Sequence, residues 1–235
     1  MASAIEVLGK QAMKTFSDRR LSQKNMDKLL SLINKITVED VKLDKNVLDY
    51  VSKQPAPMCV MDIFENKDIT IAIFILKQGV RMPMHDHPGM HGLLKVINGM
   101  VELTSYSLKA KSEHVIKAKE EIAAFKHRSV HLHNNSPACT FTPTEKNLHE
   151  ILCVEGPAAF LDILSPPYDV DDYGNGTRPC TFFKSVKSNI VNLNKLCTEL
   201  TDIIEEVQLS VMETMPEFYS TSLEYTGPPL KNHYN

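Results

Sequence analysis

Short runs of β-branched and aromatic residues, separated by turn residues, fill most of this sequence from about residue 60 onward. The run "DITIAIFILK" is continuously apolar from Ile69 to Leu76, as in a strand that is buried on both faces. Further strand candidates follow at short intervals: EHVIKAK, IAAFK, CTFTP, HEILCVEG, AAFLDIL, CTFFKSV and VQLSVME. Many short strands with turns between them are typical of sandwiches and barrels, so we predict an all-β fold.

One turn signal stands out within these strands. The segment "HGLLKVINGMVELTSYSL" contains Asn98-Gly99 between two apolar runs. Both residue types tolerate a positive φ, and Asn-Gly between apolar runs is a strong signal for a two-residue hairpin. We therefore predict two strands joined by a tight turn at Asn98-Gly99.

Helical patterns appear mainly at the start of the chain. Residues Ala2 to Phe16 and Ser22 to Ile36 carry apolar side chains at helical spacing, and Ser22 could cap the second helix. Residues Ile190 to Glu206 also look helical, as an insertion between two strands near the C-terminus. We expect a single domain overall, in which residues 1–45 form a helical appendage packed on a β body of residues 46–235.

The charge balance argues against a nucleic-acid partner. Lys plus Arg number 26 and Asp plus Glu number 29, which gives a net charge of -3. Binding to nucleic acid depends on surfaces rich in cations, and this chain has no excess of them. We therefore expect no nucleic-acid partner. For the oligomeric state, we expect a monomer.

Targeting signals and cysteine usage both favour the cytoplasm. The N-terminus lacks a basic region followed by an apolar one, and no apolar run approaches the ~20 residues that span a bilayer. The five cysteines are an odd number without any CxxC pair, which is typical of reduced thiols. We therefore expect a cytoplasmic protein that does not contact a membrane.

A pair of histidines predicts a metal site. His85 and His87 follow a predicted strand, and side chains at i and i+2 of an extended backbone point to the same side. Together with Gly79, Gly92 and Gly99 they form G-x5-H-x-H-x4-G-x6-G, which resembles the first motif of cupins. Many cupins carry a glutamate ligand where this chain has Gly92, so a third ligand must come from elsewhere.

The other histidines differ in their surroundings. His131 and His133 lie in a polar, turn-like segment, and we predict an exposed strand end for them. His149 begins an apolar run that a barrel could bring beside the first pair, and ligand and buried structural residue are both open for it. We expect a structural or supporting role for His91, and surface positions for the remaining three: His114, His127 and His233.

Two long segments carry a family resemblance. "HDHPGMHGLLKV" and "NLHEILCVEGPAAFLDILSPPYD" closely resemble the cysteamine (2-aminoethanethiol) dioxygenase and plant cysteine oxidase family of thiol dioxygenases. The resemblance runs from about Val60 to Phe183, and the N-terminal helices and the 190–206 segment carry none of it. It implies a cupin barrel, which is a double-stranded β-helix, with one Fe(II) per chain held by His85, His87 and His149.

The same resemblance implies further site residues. Asp162 and Tyr168, in "LDILSPPY", correspond to active-site residues that orient substrate and support oxygen chemistry. Cys180 corresponds to a cysteine that forms a thioether crosslink with a tyrosine two residues later in animal members. This chain has Phe182 at that position, so we do not expect the crosslink in that form.

Three neutral histidines suit the chemistry of such a family. Common non-haem Fe(II) oxygenases use two histidines and a carboxylate, and a third histidine leaves the site one unit more positive. That favours a substrate thiolate, because a nearby metal lowers the thiol pKa. Three facial ligands leave three positions for sulfur, amine and O2, which meets the proximity requirement for forming a sulfinic acid.

The resemblance implies two substrates with the same reacting groups. Cysteamine and a protein with an N-terminal cysteine both place a free amine two carbons from a thiol, and oxidation of the latter would allow oxygen sensing through N-degron turnover. Two alternatives remain open from the residues: another metal-dependent cupin enzyme, such as a zinc or nickel isomerase or dioxygenase, and a non-catalytic cupin binding module.

Overall fold

The computed structural model describes residues 2–17, 21–109, 121–169, 178–189, 202–212 and 217–230. Within these residues the chain forms three helices, α1 (Ala4–Phe16), α2 (Gln23–Ile33) and α3 (Lys45–Lys53). The strands are β1 (Met58–Glu65), β2 (Thr70–Leu76), β3 (Arg81–His85), β4 (His91–Leu108), β5 (Glu121–His127), β6 (Val130–His133), β7 (Cys139–Phe141), β8 (Leu148–Ser165), β9 (Phe183–Asn189), β10 (Ile203–Val211) and β11 (Ser220–Ser222).

The helix starts are set by capping side chains at two of the three helices. Ser3 and Glu6 form a reciprocal capping box at α1, and Asp44 accepts a hydrogen bond from the Val47 amide at α3. Ser22 precedes α2 as predicted, but its side chain makes no capping hydrogen bond. The sequence prediction missed α3, which is only nine residues long and so gives a weak periodic signal.

The strands form one predominantly antiparallel sheet that bends into a cupin barrel, and the predicted all-β fold is confirmed. The strand order is β11-β1-β2-β8-β4-β5-β10-β9, with β3 paired to β8, and with β6 and β7 paired to β4. The two longest strands, β4 and β8, pair along almost their whole length. They therefore lie at the centre of the sheet, and the other strands pair outward from them on either side.

The predicted hairpin at Asn98-Gly99 is wrong. Residues 91–108 form one continuous strand, in which Gly99 has a φ of 71° and the register with β8 shifts at this point. Asn98 Nδ2 donates a hydrogen bond to the Pro157 carbonyl across the pair, at 2.7 Å. Both halves of β4 find a partner in β8, so the positive φ produces a bulge and a bend instead of a chain reversal.

Two other predicted boundaries also change, because pairing with distant strands sets them. "HEILCVEG" and "AAFLDIL" belong to the single strand β8, because β4 spans both of them. The predicted helix at 190–206 cannot extend to its end, since residues 203–206 pair with β5 as part of β10. Residues 190–201 of that helix and the predicted strand at 113–119 lie outside the described residues.

Alternation along β8 separates the helices from the barrel interior. Leu161 and Ile163 belong to the largest apolar cluster, which also contains Leu8 of α1 and Leu29 of α2. Phe160, on the opposite face, belongs to the interior cluster. The N-terminal helices therefore pack on the outer face of the same strand that lines the interior. Among the described helices, none has the length and apolar character needed to cross a membrane.

Candidate metal centre

Three histidines meet in the barrel interior. His85 ends β3 and stands directly opposite His149 of β8 in the strand register, and His87 follows two residues later. Their ring centroids lie 4.6–4.9 Å apart, and one ring nitrogen of each lies within 4.8 Å of the others. All three side chains are buried. The structure thus brings together the three predicted ligands in a group that could hold a metal ion.

Hydrogen bonds set the ring orientation of two of these histidines. Nδ1 of His85 lies 2.9 Å from the Pro83 carbonyl, and Nδ1 of His87 lies 3.0 Å from the Asn147 carbonyl. A carbonyl oxygen only accepts, so Nδ1 carries the proton in both rings. The Nε2 atom of each ring therefore keeps its lone pair for a metal ion.

Asn147 holds the backbone around His87 from several directions. Its Oδ1 accepts from the His87 amide at 3.2 Å, and its Nδ2 donates to the carbonyls of His87 and Thr142 at 2.8 and 2.9 Å. The side chain is buried. An asparagine two positions before a histidine has no local signature in the sequence, so its role cannot be predicted from the residues alone. Its role depends on a contact 60 residues away in sequence.

Burial keeps the histidine cluster neutral. Desolvation lowers the pKa of His85 to about 4 and holds the pKa values of His87 and His149 well below their usual range. Each neighbouring imidazole opposes protonation of the next, which lowers the pKa values of His87 and His149 further. At neutral pH, metal binding at this group would not have to displace protons from the rings.

The histidines line a cavity of about 140 Å³ with otherwise mostly apolar walls. Leu164 and Phe160 of β8 face into it, and Phe74 stacks on Phe160 with ring centroids 5.5 Å apart. The remaining apolar lining consists of Met58, Met82, Ile151, Phe182 and Phe218. Such walls exclude water, which strengthens the interactions of the few polar groups that face the cavity.

Asp162 supplies a carboxylate to this cavity. It lies on β8 between Phe160 and Leu164 on the same strand face, and it is buried. Its Oδ1 atom has no hydrogen-bond partner within the described chain, and burial raises its pKa to about 7. A buried carboxylate oxygen without a partner is costly, so this atom is positioned to receive a donor from a ligand.

Tyr168 and Cys180 lie on the same side of the cavity. The Tyr168 hydroxyl donates to the Asp86 carbonyl at 2.6 Å, and its ring centroid lies 5.6 Å from that of His87. Burial raises the pKa of the Cys180 thiol to about 12, although the nearby Tyr168 hydroxyl acts to lower it. Phe182 lines the cavity two residues later. Since the single Tyr168 proton is engaged by Asp86, donating it to a bound ligand would require breaking that bond.

A neighbouring ring explains why residue 92, where many cupins carry a glutamate, is a glycine in this chain. A Cβ atom on Gly92 would lie 1.9 Å from Cζ of Phe141. The Phe141 ring packs against His87 and His149, with centroid separations of 4.3 and 5.4 Å. Phe141 thus occupies the space that a side chain at residue 92 would need, next to the three-histidine group. The sequence analysis did not identify it, because it lies on β7, far along the chain.

The remaining described histidines lie outside the three-histidine group. His131 and His133 are exposed on β6, as predicted, and His91 packs near Phe16 of α1 with centroids 6.3 Å apart. The predicted surface position of His127 is wrong. It is buried beneath β10, where its ring contacts Ser107 at 2.7 Å and Asp202 at 3.0 Å. His114 and His233 lie outside the described residues.

Comparison with known proteins places this chain in a family. A family model described as PCO_ADO matches residues 32–230. The chain belongs to the PCO_ADO family. The 2-aminoethanethiol dioxygenase of Homo sapiens is 31% identical over 268 aligned residues, with 97% of each chain covered. Plant cysteine oxidase 2 of Arabidopsis thaliana is 24% identical and covers 93% of this chain and 80% of its own length.

A third relative extends the family to another lineage. The probable 2-aminoethanethiol dioxygenase of Dictyostelium discoideum is 30% identical over 171 residues, which cover 72% of this chain and 76% of that protein. These findings confirm the family resemblance and the prediction of a dioxygenase-type enzyme. They correct its extent, because the family match of the PCO_ADO model begins at residue 32 and includes α3 and the 190–206 segment.

Proposed function

We propose that this PCO_ADO protein is an Fe(II)-dependent thiol dioxygenase that converts cysteamine, an N-terminal cysteine of a protein, or both, into the sulfinic acid. The single observation that carries the proposal is the buried three-histidine group in an apolar cavity that also contains the partnerless Oδ1 of Asp162. This arrangement matches a substrate with a thiol at one end and an ammonium group at the other.

One Fe(II) ion per chain fits the donor set of the site. Imidazole is a suitable iron ligand, and His85 and His87 present unprotonated Nε2 atoms that their Nδ1 hydrogen bonds fix in place. When bound, iron would supply the coordination positions that bring the thiol and O2 together, and the electrons that reduce O2 would come from the substrate sulfur. The reaction balances without another reductant, because R–SH and O2 together give R–SO2H.

The protein's own groups would bind and orient the substrate. The carboxylate of Asp162 would accept hydrogen bonds from the substrate ammonium group at Oδ1. Because an adjacent cation favours the ionised carboxylate, substrate binding would lower the Asp162 pKa from about 7 and release its proton. The apolar walls would exclude water from the reacting sulfur, and Tyr168 and Cys180 would complete the wall beside His87.

A two-substrate oxygenation assay tests this function. Protein loaded with Fe(II) should add two oxygen atoms to cysteamine and to a peptide that begins with cysteine, as measured by mass spectrometry. The same peptide with serine at its N-terminus should not react. A fully iron-loaded protein that oxidises neither thiol would contradict the proposal, and so would activity that depends on stoichiometric zinc or nickel.

The cellular setting follows from the same proposal. We propose a cytoplasmic monomer in which residues 1–45 form an appendage of a single cupin domain, and in which oxidation of N-terminal cysteines reports oxygen to N-degron turnover. The four described cysteines are free thiols, as a reducing compartment would keep them. Sedimentation equilibrium tests the monomer, and the half-life of a Cys-initiating reporter at low and high oxygen tests the sensing role.

A further inference from the structure

Residues 85–87, which we call the histidine loop, and residues 180–182 lie side by side in the wall of the cavity. His85 and Phe182 form an antiparallel bridge, which places Asp86 opposite Thr181. The Asp86 amide donates to the Thr181 carbonyl at 3.1 Å, and the Thr181 amide donates to Oδ1 of Asp86 at 2.8 Å. The carboxylate side chain thus takes the acceptor position that a backbone carbonyl would take in a regular ladder.

The residues on either side of this contact line the cavity, because side chains of an extended segment alternate between its two sides. His85 and His87 flank Asp86 and both line the cavity, and Cys180 and Phe182 flank Thr181 and line it as well. Successive side chains of an extended segment point to opposite sides. The Asp86–Thr181 contact therefore joins the segment that carries two metal-ligand candidates to the segment that carries two wall residues.

Asp86 also contacts a second part of the wall. Its carbonyl accepts the hydrogen bond from the Tyr168 hydroxyl, at 2.6 Å. The residue itself is buried, although it carries a carboxylate. Burial of an acidic side chain is costly unless it has hydrogen-bond partners, and the Thr181 amide is such a partner.

The position of the wall segment makes this contact important. Thr181 lies two residues before β9, and β9 lies at the end of the strand order, paired with β10. An end strand has a partner on one side only, so its position depends more strongly on contacts outside the ladder. Asp86 provides two hydrogen bonds between this segment and the histidine loop.

We propose that Asp86 is a positioning residue that holds the Cys180–Phe182 wall against the histidine loop, and thereby sets the affinity for the thiol substrate without itself binding metal. This inference rests on the proposed thiol dioxygenase function. It extends the site to a residue whose side chain faces away from the cavity. Asp86 would act on the substrate indirectly, through Cys180, Phe182 and Tyr168.

Two substitutions at one position separate this role from a general loss of structure. Asp86→Ala removes the acceptor for the Thr181 amide, whereas Asp86→Asn keeps an acceptor oxygen of the same size. Asp86→Ala should raise the KM for cysteamine and for the peptide by about tenfold, since one hydrogen bond to a buried acceptor is lost. Asp86→Asn should restore most of that loss, and both variants should bind iron as the wild type does.

Amide hydrogen exchange tests the contact without reference to activity. In metal-free protein, the Thr181 amide should be protected in the wild type and in Asp86→Asn, and should lose protection in Asp86→Ala. The Ile73 amide in the barrel should exchange equally in all three, which controls for global stability. Asp49→Ala, which removes an exposed aspartate of α3, is the matched control and should change neither KM nor exchange.

The outcomes distinguish this inference from the proposed function. An unchanged KM in Asp86→Ala would overturn the positioning role, as would an Asp86→Asn variant that is equally impaired, or activity that falls only in proportion to lost iron. An inactive wild type would remove the proposed function, yet a selective change in Thr181 exchange would still support the contact. Exchange at Thr181 that is equal in all variants would overturn the contact even in an active enzyme.

Discussion

This chain contains two His-x-His pairs with identical local spacing and opposite environments. His85 and His87 are 8% and 2% exposed, whereas the side chain of His131 is 57% exposed and lies 3.7 Å from Glu102. The first pair lies at and just after the end of β3, beside His149 on the paired strand β8. The second pair lies on the short strand β6, outside the cavity. Spacing therefore creates the ability to chelate, and burial beside a third ligand turns that ability into a candidate site.

The largest difference between the two pairs should appear when one histidine of each is removed. His87→Ala should abolish iron binding and oxygenation. The loss of iron affinity should be larger than the roughly 10–100-fold loss that follows removal of a residue that only supports a ligand. His131→Ala should bind iron and turn over as the wild type does. Iron quantification and initial rates on cysteamine measure both. Comparable losses in the two variants would show that the exposed pair also holds functional metal.

A buried carboxylate next to the first pair should give a pH-dependent effect on stability. The Asp162 pKa is raised to about 7, above its ordinary value of 3.8, so the penalty for its charge is absent below the unfolded pKa and complete above the folded one. Asp162→Asn should therefore stabilise the metal-free protein at pH 8, by on the order of a few kcal/mol, and by less at pH 5.

Urea unfolding of both metal-free proteins at the two pH values measures this effect, while oxygenation assays on the same variant should show reduced turnover. The opposed changes in stability and activity are the informative result. A variant that is destabilised at pH 8, or equally stabilised at both pH values, would contradict the raised pKa of Asp162.

The buried pair also differs from the exposed pair in its supporting contacts. Asn147 holds the backbone of His87 through buried hydrogen bonds, whereas the His133 amide donates to Ser136 in a solvent-exposed hydrogen bond. Asn147→Ala should weaken iron affinity by roughly 10–100-fold, because the orientation of His87 is then less fixed. Asn135→Ala, beside the exposed pair, is the matched control. Competition with a chelator measures the affinity, and equal affinities in both variants would exclude a role for Asn147.

The smallest effect should come from the ion pair of the exposed histidine. Glu102→Gln removes the partner of His131, but both side chains are partly or largely in water, where ion pairs contribute ~1 kcal/mol or less. The free energy of unfolding and the turnover rate should both remain within error of the wild type. A loss of activity in this variant would show that the surface pair communicates with the site.

Local signals in the sequence predicted most of the site and part of the fold. The strand parity of His85 and His87 and the family motif around His149 led to the three residues that the barrel brings together. Asn98-Gly99 predicted a hairpin, but the chain only bends there, because β8 extends past this point and pairs with both halves of β4. His127 was misplaced for a similar reason, since its burial depends on pairing with β10 and on Asp202, 75 residues away.

The residue types and their spacing were enough to predict which groups are available: the strand-forming runs, two histidines that could chelate a metal, a lone histidine that begins a later strand and an aspartate in the strand predicted after it. These depend on residue type and on spacing within a few positions, where the backbone period fixes which side chains share a face. The folded structure was needed to show that Phe141 fills the space beside Gly92, that Asn147 holds His87, and that Asp86 joins two walls of the cavity. Each of these depends on strands that are distant in sequence and become neighbours when the barrel closes.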